Sequence, residues 1–173
     1  ALKPETSITY LKQLYKGIQR CAQQFQFSVV GGETSSCSTN VITISGTGSC
    51  ENYITRSGAQ LSETIYVTGS LGGSIKGKHH QFTTRVREAQ WLIKHLQPPA
   101  MMDLSAGLAN DLPRLAKMSK VGFKLDLAKL PGAEECSIQQ ALSDGEDYEL
   151  LFTSSTPLST KLLSKWQQHF PDT

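Results

Sequence analysis

Between residues 7 and 25 the apolar side chains Ile8, Leu11, Leu14, Tyr15, Ile18, Ala22 and Phe25 recur every three or four positions. That spacing puts them on one face of a helix, and Pro4 with Thr6 or Ser7 supplies its start signal. The rhythm then changes. Residues 27–30 predict a short buried strand that ends at Gly31 and Gly32, which accept backbone angles closed to other residues. Residues 41–45 alternate apolar with hydroxylated side chains, and residues 64–68 form a β-branched run, so both predict strands. Helical spacing returns at Val86, Ala89, Leu92, Ile93 and Leu96, and Pro98 and Pro99 stop it. Residues 100–104 predict a strand and residues 107–118 a helix, with Pro113 tolerable only in or near the first turn. Phe123, Leu125 and Leu127 alternate with Lys124 and Asp126, the pattern of a half-buried strand. A short helix at 137–142, a strand at 148–153 and a helix at 157–169 complete the series.

Strands and helices interleave with no internal repeat or low-complexity linker, so the fold class expected is α+β, a mixed β-sheet with helices packed on it. The chain has 173 residues, which suits a single domain over 1–173 at roughly 150 residues per domain. Apolar residues at 38%, with 14 glycines, favour a folded domain over a disordered one. Seventeen Lys and Arg against fifteen Asp and Glu leave a net charge of +2 without a basic cluster, which argues against a nucleic-acid surface. No apolar run approaches the roughly 20 residues of a membrane span, and no signal-peptide order stands at the N-terminus. Cys21, Cys37, Cys50 and Cys136 show no zinc-site spacing. As reduced thiols they favour a cytoplasmic protein.

Polar loops border three strand-like runs: Gly31, Gly32, Glu33 and Thr34 after the first; Asp103, Leu104, Ser105, Ala106 and Gly107 before a helix; and Asp144, Gly145, Glu146 and Asp147 before the strand at 148–153. Each reads as an ordinary turn, with Ser105 as a helix cap, or as part of a phosphate site. On the second reading Glu33 and Asp103 would hold a hard cation such as magnesium, while glycine backbones and a helix start offer N–H groups to phosphate. Phosphoryl transfer requires that combination, because its transition state spreads negative charge over the phosphoryl oxygens. No Walker sequence occurs, which excludes a P-loop kinase. Arg56, in a glycine-bearing polar loop, is a candidate for a bidentate phosphate contact. Arg85 and Arg87 open a helix, where positive charge opposes the dipole and a nearby anion would relieve it. His79 and His80 read as loop residues, His95 and His169 as residues near helix C-termini, and Trp91 and Trp166 as packing on helix faces.

In their order along the chain, the segments VGGET (30–34), TRSGA (55–59), IYVTG (65–69), MDLSAGL (102–108) and GEDYELLFT (145–153) resemble the thiamine-monophosphate kinases, in the superfamily of aminoimidazole ribonucleotide synthetase. The resemblance covers residues 2–153 and corresponds to the family's C-terminal domain, with the N-terminal ATP- and magnesium-binding dimerisation domain expected outside this chain. It implies Mg2+-dependent transfer of the γ-phosphoryl of ATP to thiamine monophosphate, giving thiamine diphosphate, in a parent protein that is a homodimer. By the same resemblance Gly32, Glu33, Arg56 and Ser105 contact ATP, Glu33 and Asp103 bind metal, and Glu146 contacts the thiamine phosphate. Ala106 stands where the family's pattern has a second aspartate, which implies a weakened magnesium site. Because the family's N-terminal domain, which supplies most of the magnesium-gathering acids, is expected outside this chain, the chain alone is expected to be inactive. The alternatives are another ATP-dependent synthetase of the superfamily and a non-catalytic nucleotide-binding or assembly module.

Overall fold

Ser7 starts the first helix as its position predicts. Its side chain accepts a hydrogen bond from the Tyr10 N–H at 3.2 Å, and α1 runs over Ile8–Phe25 until Gln26 adopts left-handed backbone. The computed structural model describes residues 1–173 and separates into two units, Ala1–Ser49 and Cys50–Thr173, where the sequence suggested one domain. In the first unit Leu11, Leu14, Ile18 and Phe25 of α1 are half-buried, and none of its residues is fully buried. Leu2 is held between two backbone bonds: it donates to the Ser35 carbonyl at 2.8 Å and accepts from the Cys37 N–H at 2.9 Å. The strands expected at 27–30 and 41–45 do not form, and their apolar side chains are exposed, Val30 at 95%. Strand-favouring residues still need a neighbour to take their N–H and C=O groups along the whole run; Val41 exchanges bonds with Ala1 and Phe27 donates back to Ala22, but no ladder continues from either.

The second unit is built on three strands, β1 (Thr64–Val67), β2 (Met101–Leu104) and β3 (Glu149–Ser154), in the order β1-β3-β2. Both pairs are antiparallel, so the sheet is not mixed. The register sets Tyr66 opposite Phe152 and Met102 opposite Leu151. All six residues of the central β3 are buried, which explains why its sequence is a continuous run and not an alternating one. Alternate side chains serve opposite faces of the sheet. Met102, Leu104 and Leu151 join Leu108, Leu112 and Leu115 of α4 (Leu108–Ser119) and Ala141 of α5 (Ile138–Ser143) in one core cluster. Leu150 and Phe152 join Trp91 and Leu92 of α3 (Val86–His95) in the other, against which Leu162 and Trp166 of α6 (Thr160–His169) pack. Trp91 and Trp166 meet edge to face at 5.3 Å, a favoured aromatic geometry.

Local signals set the helix ends. Ser137 and Gln140 form a reciprocal capping box at α5, and Ser159 caps α6. Helix α4 carries Pro113 in its interior, beyond the first turn where it was expected. Pro113 and Ala109, whose carbonyl loses its helical donor there, are both exposed, so water can replace the missing bond. His79 and His80 fall not in a loop but in a short helix, α2 (Lys78–Gln81). The strand expected at 123–127 is absent; Val121 and Leu125 still pack on the first core cluster, but no strand pairs with this run. No helix is long and apolar enough to cross a membrane.

Candidate functional site

The loop after β2 and the loop before β3 interlock backbone to backbone. The Glu146 N–H donates to the Ser105 carbonyl at 2.9 Å, and the Tyr148 N–H to the Leu104 carbonyl at 2.8 Å. Gly145, with φ +70°, sits where a Cβ would lie 2.9 Å from the Ser105 carbonyl oxygen, and Gly107, with φ +87°, where one would lie 3.0 Å from that of Leu142. Only glycine allows both the left-handed backbone and this approach. The contact brings three of the sequence candidates together: Asp103, exposed on β2; Ser105, half-buried; and Glu146, exposed.

Ser105 does not cap α4. The N-cap is Gly107, without a side-chain bond. Instead the fully buried Asp111, one turn into the helix, reaches back: its Oδ2 accepts the Ser105 N–H at 3.0 Å and the Ala106 N–H at 2.8 Å. Arg114 neutralises its other oxygen at 2.7 Å. Two N–H groups of the loop leading into α4 are thus filled by the chain's own carboxylate. What Ser105 leaves free is its hydroxyl, which makes no hydrogen bond within the chain.

Behind the loop lies a buried acidic pair. Asp147 accepts the Gly72 N–H at 2.8 Å and the Ser74 hydroxyl at 2.7 Å through Oδ1, while its buried Oδ2 has no partner. Burial pushes its carboxyl above the usual range, outweighing those two bonds and the nearby Lys78. Glu149 has four charged or hydroxyl donors: Arg85 Nε at 2.8 Å and Nη2 at 2.9 Å, Lys78 Nζ at 2.8 Å and Thr68 Oγ1 at 2.7 Å. Burial would raise this carboxyl, but these donors prevail and hold it below the usual range. Its partner Arg85 is raised in turn, chiefly by the hydrogen bonds to Glu149. Arg85 also reaches Glu88 at 3.0 Å. The anions that relieve the charge opening α3 are therefore Glu149 and Glu88.

At the rim, Tyr148 donates its hydroxyl to Glu146 Oε2 and stacks on Phe82, with ring centroids 4.2 Å apart. The bond to Glu146, with partial burial and the charges of Glu146 and Asp103, pushes its phenol up. Asp144, two residues before Glu146, accepts the Gly73 N–H at 3.0 Å.

The other candidates lie apart from this cluster or in the other unit. The Arg56 carbonyl accepts the Ser119 hydroxyl at 2.9 Å, and the neighbouring Thr55 carbonyl accepts the Met101 N–H at 3.0 Å. Arg56 thus sits at the start of β2 and the end of α4, with about 18 Å of helix between Ser119 and the Ser105 loop. Gly32 and Glu33 belong to the Ala1–Ser49 unit, where both are exposed and neither forms a hydrogen bond. No three His, Cys, Asp or Glu side chains converge as a metal centre. The sequence reading missed Asp111, Asp147, Tyr148 and Glu149. The GEDYE run contains three of them, but burial and partners far away in sequence define their roles.

Residues 30–164 match the model of the AIR synthase related protein family's C-terminal domain, and residues 1–51 that of its N-terminal domain. The N-terminal domain was expected to lie outside this chain; part of the chain in fact matches it. The thiamine-monophosphate kinase of Rhodopirellula baltica is 34% identical over 163 residues, covering 88% of this chain and 52% of that protein. Those of Aquifex aeolicus and Escherichia coli are each 30% identical, covering 88% and 87% of this chain and 59% and 55% of theirs. The chain therefore spans little more than half the length of these relatives. A structure of AaThiL complexed with AMPPCP and TMP superposes with a TM-score of 0.75 at 27% identity, over 88% of this chain and 59% of that one. Thiamine monophosphate kinase from Stenotrophomonas maltophilia, at 22% identity and a TM-score of 0.72, shares the fold, over 98% of this chain and 64% of its own. With 30–164 matched to the C-terminal domain model, the chain belongs to the AIR synthase related family.

Proposed function

We propose that this chain forms the substrate-facing part of a thiamine-monophosphate kinase, which transfers the γ-phosphoryl of ATP to the phosphate of thiamine monophosphate. The observation that carries this reading is the interlock of the loops after β2 and before β3, which gathers Asp103, Ser105 and Glu146 at one end of the sheet. The kinase relatives and the AMPPCP and TMP complex of AaThiL support it. In this reading the free Ser105 hydroxyl meets a nucleotide phosphate and Glu146 accepts a hydrogen bond from a donor on thiamine monophosphate, while Arg56, set apart from that loop, is assigned to the nucleotide on the family pattern alone. Gly32 and Glu33 are assigned to the nucleotide on the family pattern alone.

The chain's own residues do not complete a magnesium shell. Asp103 is one carboxylate, Ala106 offers a methyl group, and no acidic trio forms. Magnesium therefore enters this proposal only as the ion carried by the nucleotide phosphates, facing Asp103. The same observation favours a second reading, a module that binds nucleotide without turnover.

Calorimetric titration of this chain with thiamine monophosphate, in the presence of AMPPCP and magnesium, tests the first reading. Saturable binding that weakens about tenfold in Glu146→Gln is expected, as for the loss of a charged hydrogen bond. Failure to bind overturns the substrate assignment. Conversion to thiamine diphosphate by this chain alone is expected to be absent, and measurable turnover would remove the case for a lost metal site.

A further inference from the structure

Three consecutive residues in the loop before β3 have their side chains committed in different directions. Glu146 is exposed, Asp147 is buried beneath it, and Tyr148 lies along the rim. Glu146 and Tyr148 both have left-handed backbone, φ 56° and 52°. For a bulky aromatic residue that conformation is an outlier, and such strain persists only where the surroundings impose it. Here they do. The N–H groups of both residues pair with the end of β2, at 2.9 and 2.8 Å, and the Asp147 carboxylate is pinned by Gly72 and Ser74. The result aims the Tyr148 hydroxyl at Glu146 Oε2 while its ring stacks on Phe82, from the segment between α2 and α3.

We propose that Tyr148 is a positioning residue for the Glu146 carboxylate, the group that meets the substrate. Its hydroxyl occupies Oε2 of Glu146 and fixes the side chain, so that Oε1 alone is presented to a single hydrogen-bond donor on the ligand. An unrestrained exposed glutamate samples several rotamers and loses that freedom on binding; a glutamate already held loses less. Phe82 backs the tyrosine ring and extends the site to the Gly77–Arg85 stretch, which Arg85 and Lys78 tie to Glu149. The inference rests on the reading of Glu146 as a substrate contact.

A double-mutant cycle on thiamine monophosphate affinity separates positioning from mere structure, because residues that act as one unit are non-additive. Tyr148→Phe keeps the ring and its stack but removes the hydroxyl, and is expected to weaken binding on the order of tenfold in the wild-type background. In the Glu146→Ala background, which removes the acceptor that Glu146→Gln would keep, it should change affinity less than about twofold, since its target is gone. Phe82→Leu gives a second route to the same loosening, with a smaller loss expected. Independently of any ligand, absorbance titration of the phenols should show one tyrosine that ionises at high pH in the wild type and returns toward the ordinary range in Glu146→Gln. Binding lost in Glu146→Gln but unchanged in Tyr148→Phe would overturn this proposal and leave the function standing. Equal losses from Tyr148→Phe in both backgrounds would make the residue structural and overturn it as well. A wild type that does not bind thiamine monophosphate would overturn both.

Discussion

Glu149 and Asp147 are two buried carboxylates two residues apart whose surroundings move them in opposite directions. Glu149 is compensated by Arg85, Lys78 and Thr68, and removing its charge would leave Glu88 as the one anionic partner of Arg85. Glu149→Gln should therefore cost about 3–5 kcal/mol, the range for breaking a buried ion pair from one side, read as a lowered urea midpoint at neutral pH. Because the folded carboxyl lies below its ordinary 4.5, its contribution is complete above that value and fades as pH falls through the folded pKa. Asp147 has the reverse sign. Its folded carboxyl lies above 3.8, so the native state binds its proton more tightly, and that contribution is lost as pH rises through the folded pKa. Asp147→Asn keeps an acceptor for Gly72 and Ser74 and removes the titration. The stability of the wild type relative to this variant should fall as pH is raised from about 4 to 7; denaturation at several pH values would show it, and a constant difference would refute it. Neither role could be read along the chain, because the partners that define them stand 64 residues away at Arg85, 75 at Gly72 and 81 at Thr68.

At the scale of elements, the interlock of two loops depends on atoms that a single methyl group would disturb. Gly145→Ala places a Cβ against the Ser105 carbonyl on left-handed backbone, and should destabilise the chain by about 1–3 kcal/mol while weakening thiamine monophosphate binding. Gly32→Ala is the contrast: nothing lies within 4 Å, so its effect on stability should stay within about 0.5 kcal/mol. Thermal melts of the two variants side by side distinguish a glycine required by packing from one that this fold leaves open. The same contrast explains what could be read from the sequence. Helices α1, α3, α4, α5 and α6 were legible because their spacing, caps and proline stops are local. Residues 64–67, 101–104 and 149–154 were legible as strands, and they found one another. Residues 27–30, 41–45 and 123–127 carry strand-like patterns equally clear to the eye, but a strand is completed by a partner that its own residues do not specify. Asp103 was legible as a candidate because it ends a strand-like run ahead of a polar loop, and Ser105 and Glu146 through the family resemblance of the loops they stand in; Asp111 was not, because a carboxylate inside a helix reads as solvated surface until its burial is known.

For the molecule as a whole, burial is divided unevenly along the chain. Both core clusters belong to the Cys50–Thr173 unit, while no residue before Ala59 is buried. Backbone that is neither buried nor held in regular structure opens at little free-energy cost, whereas central strands open only with the core. Residues 26–49 have few backbone bonds and are exposed throughout. Limited proteolysis under native conditions should therefore cut first within 26–49 and leave a resistant product that begins near Cys50. Mass spectrometry of the early fragments gives the sites. The product should unfold cooperatively, with a midpoint within about 2 °C of that of the intact chain, since the residues removed bury little apolar surface and contribute correspondingly little. Early cuts inside β1, β2 or β3, or a melting point that drops sharply once Ala1–Ser49 is gone, would mean that the first unit carries stability its exposed side chains do not account for.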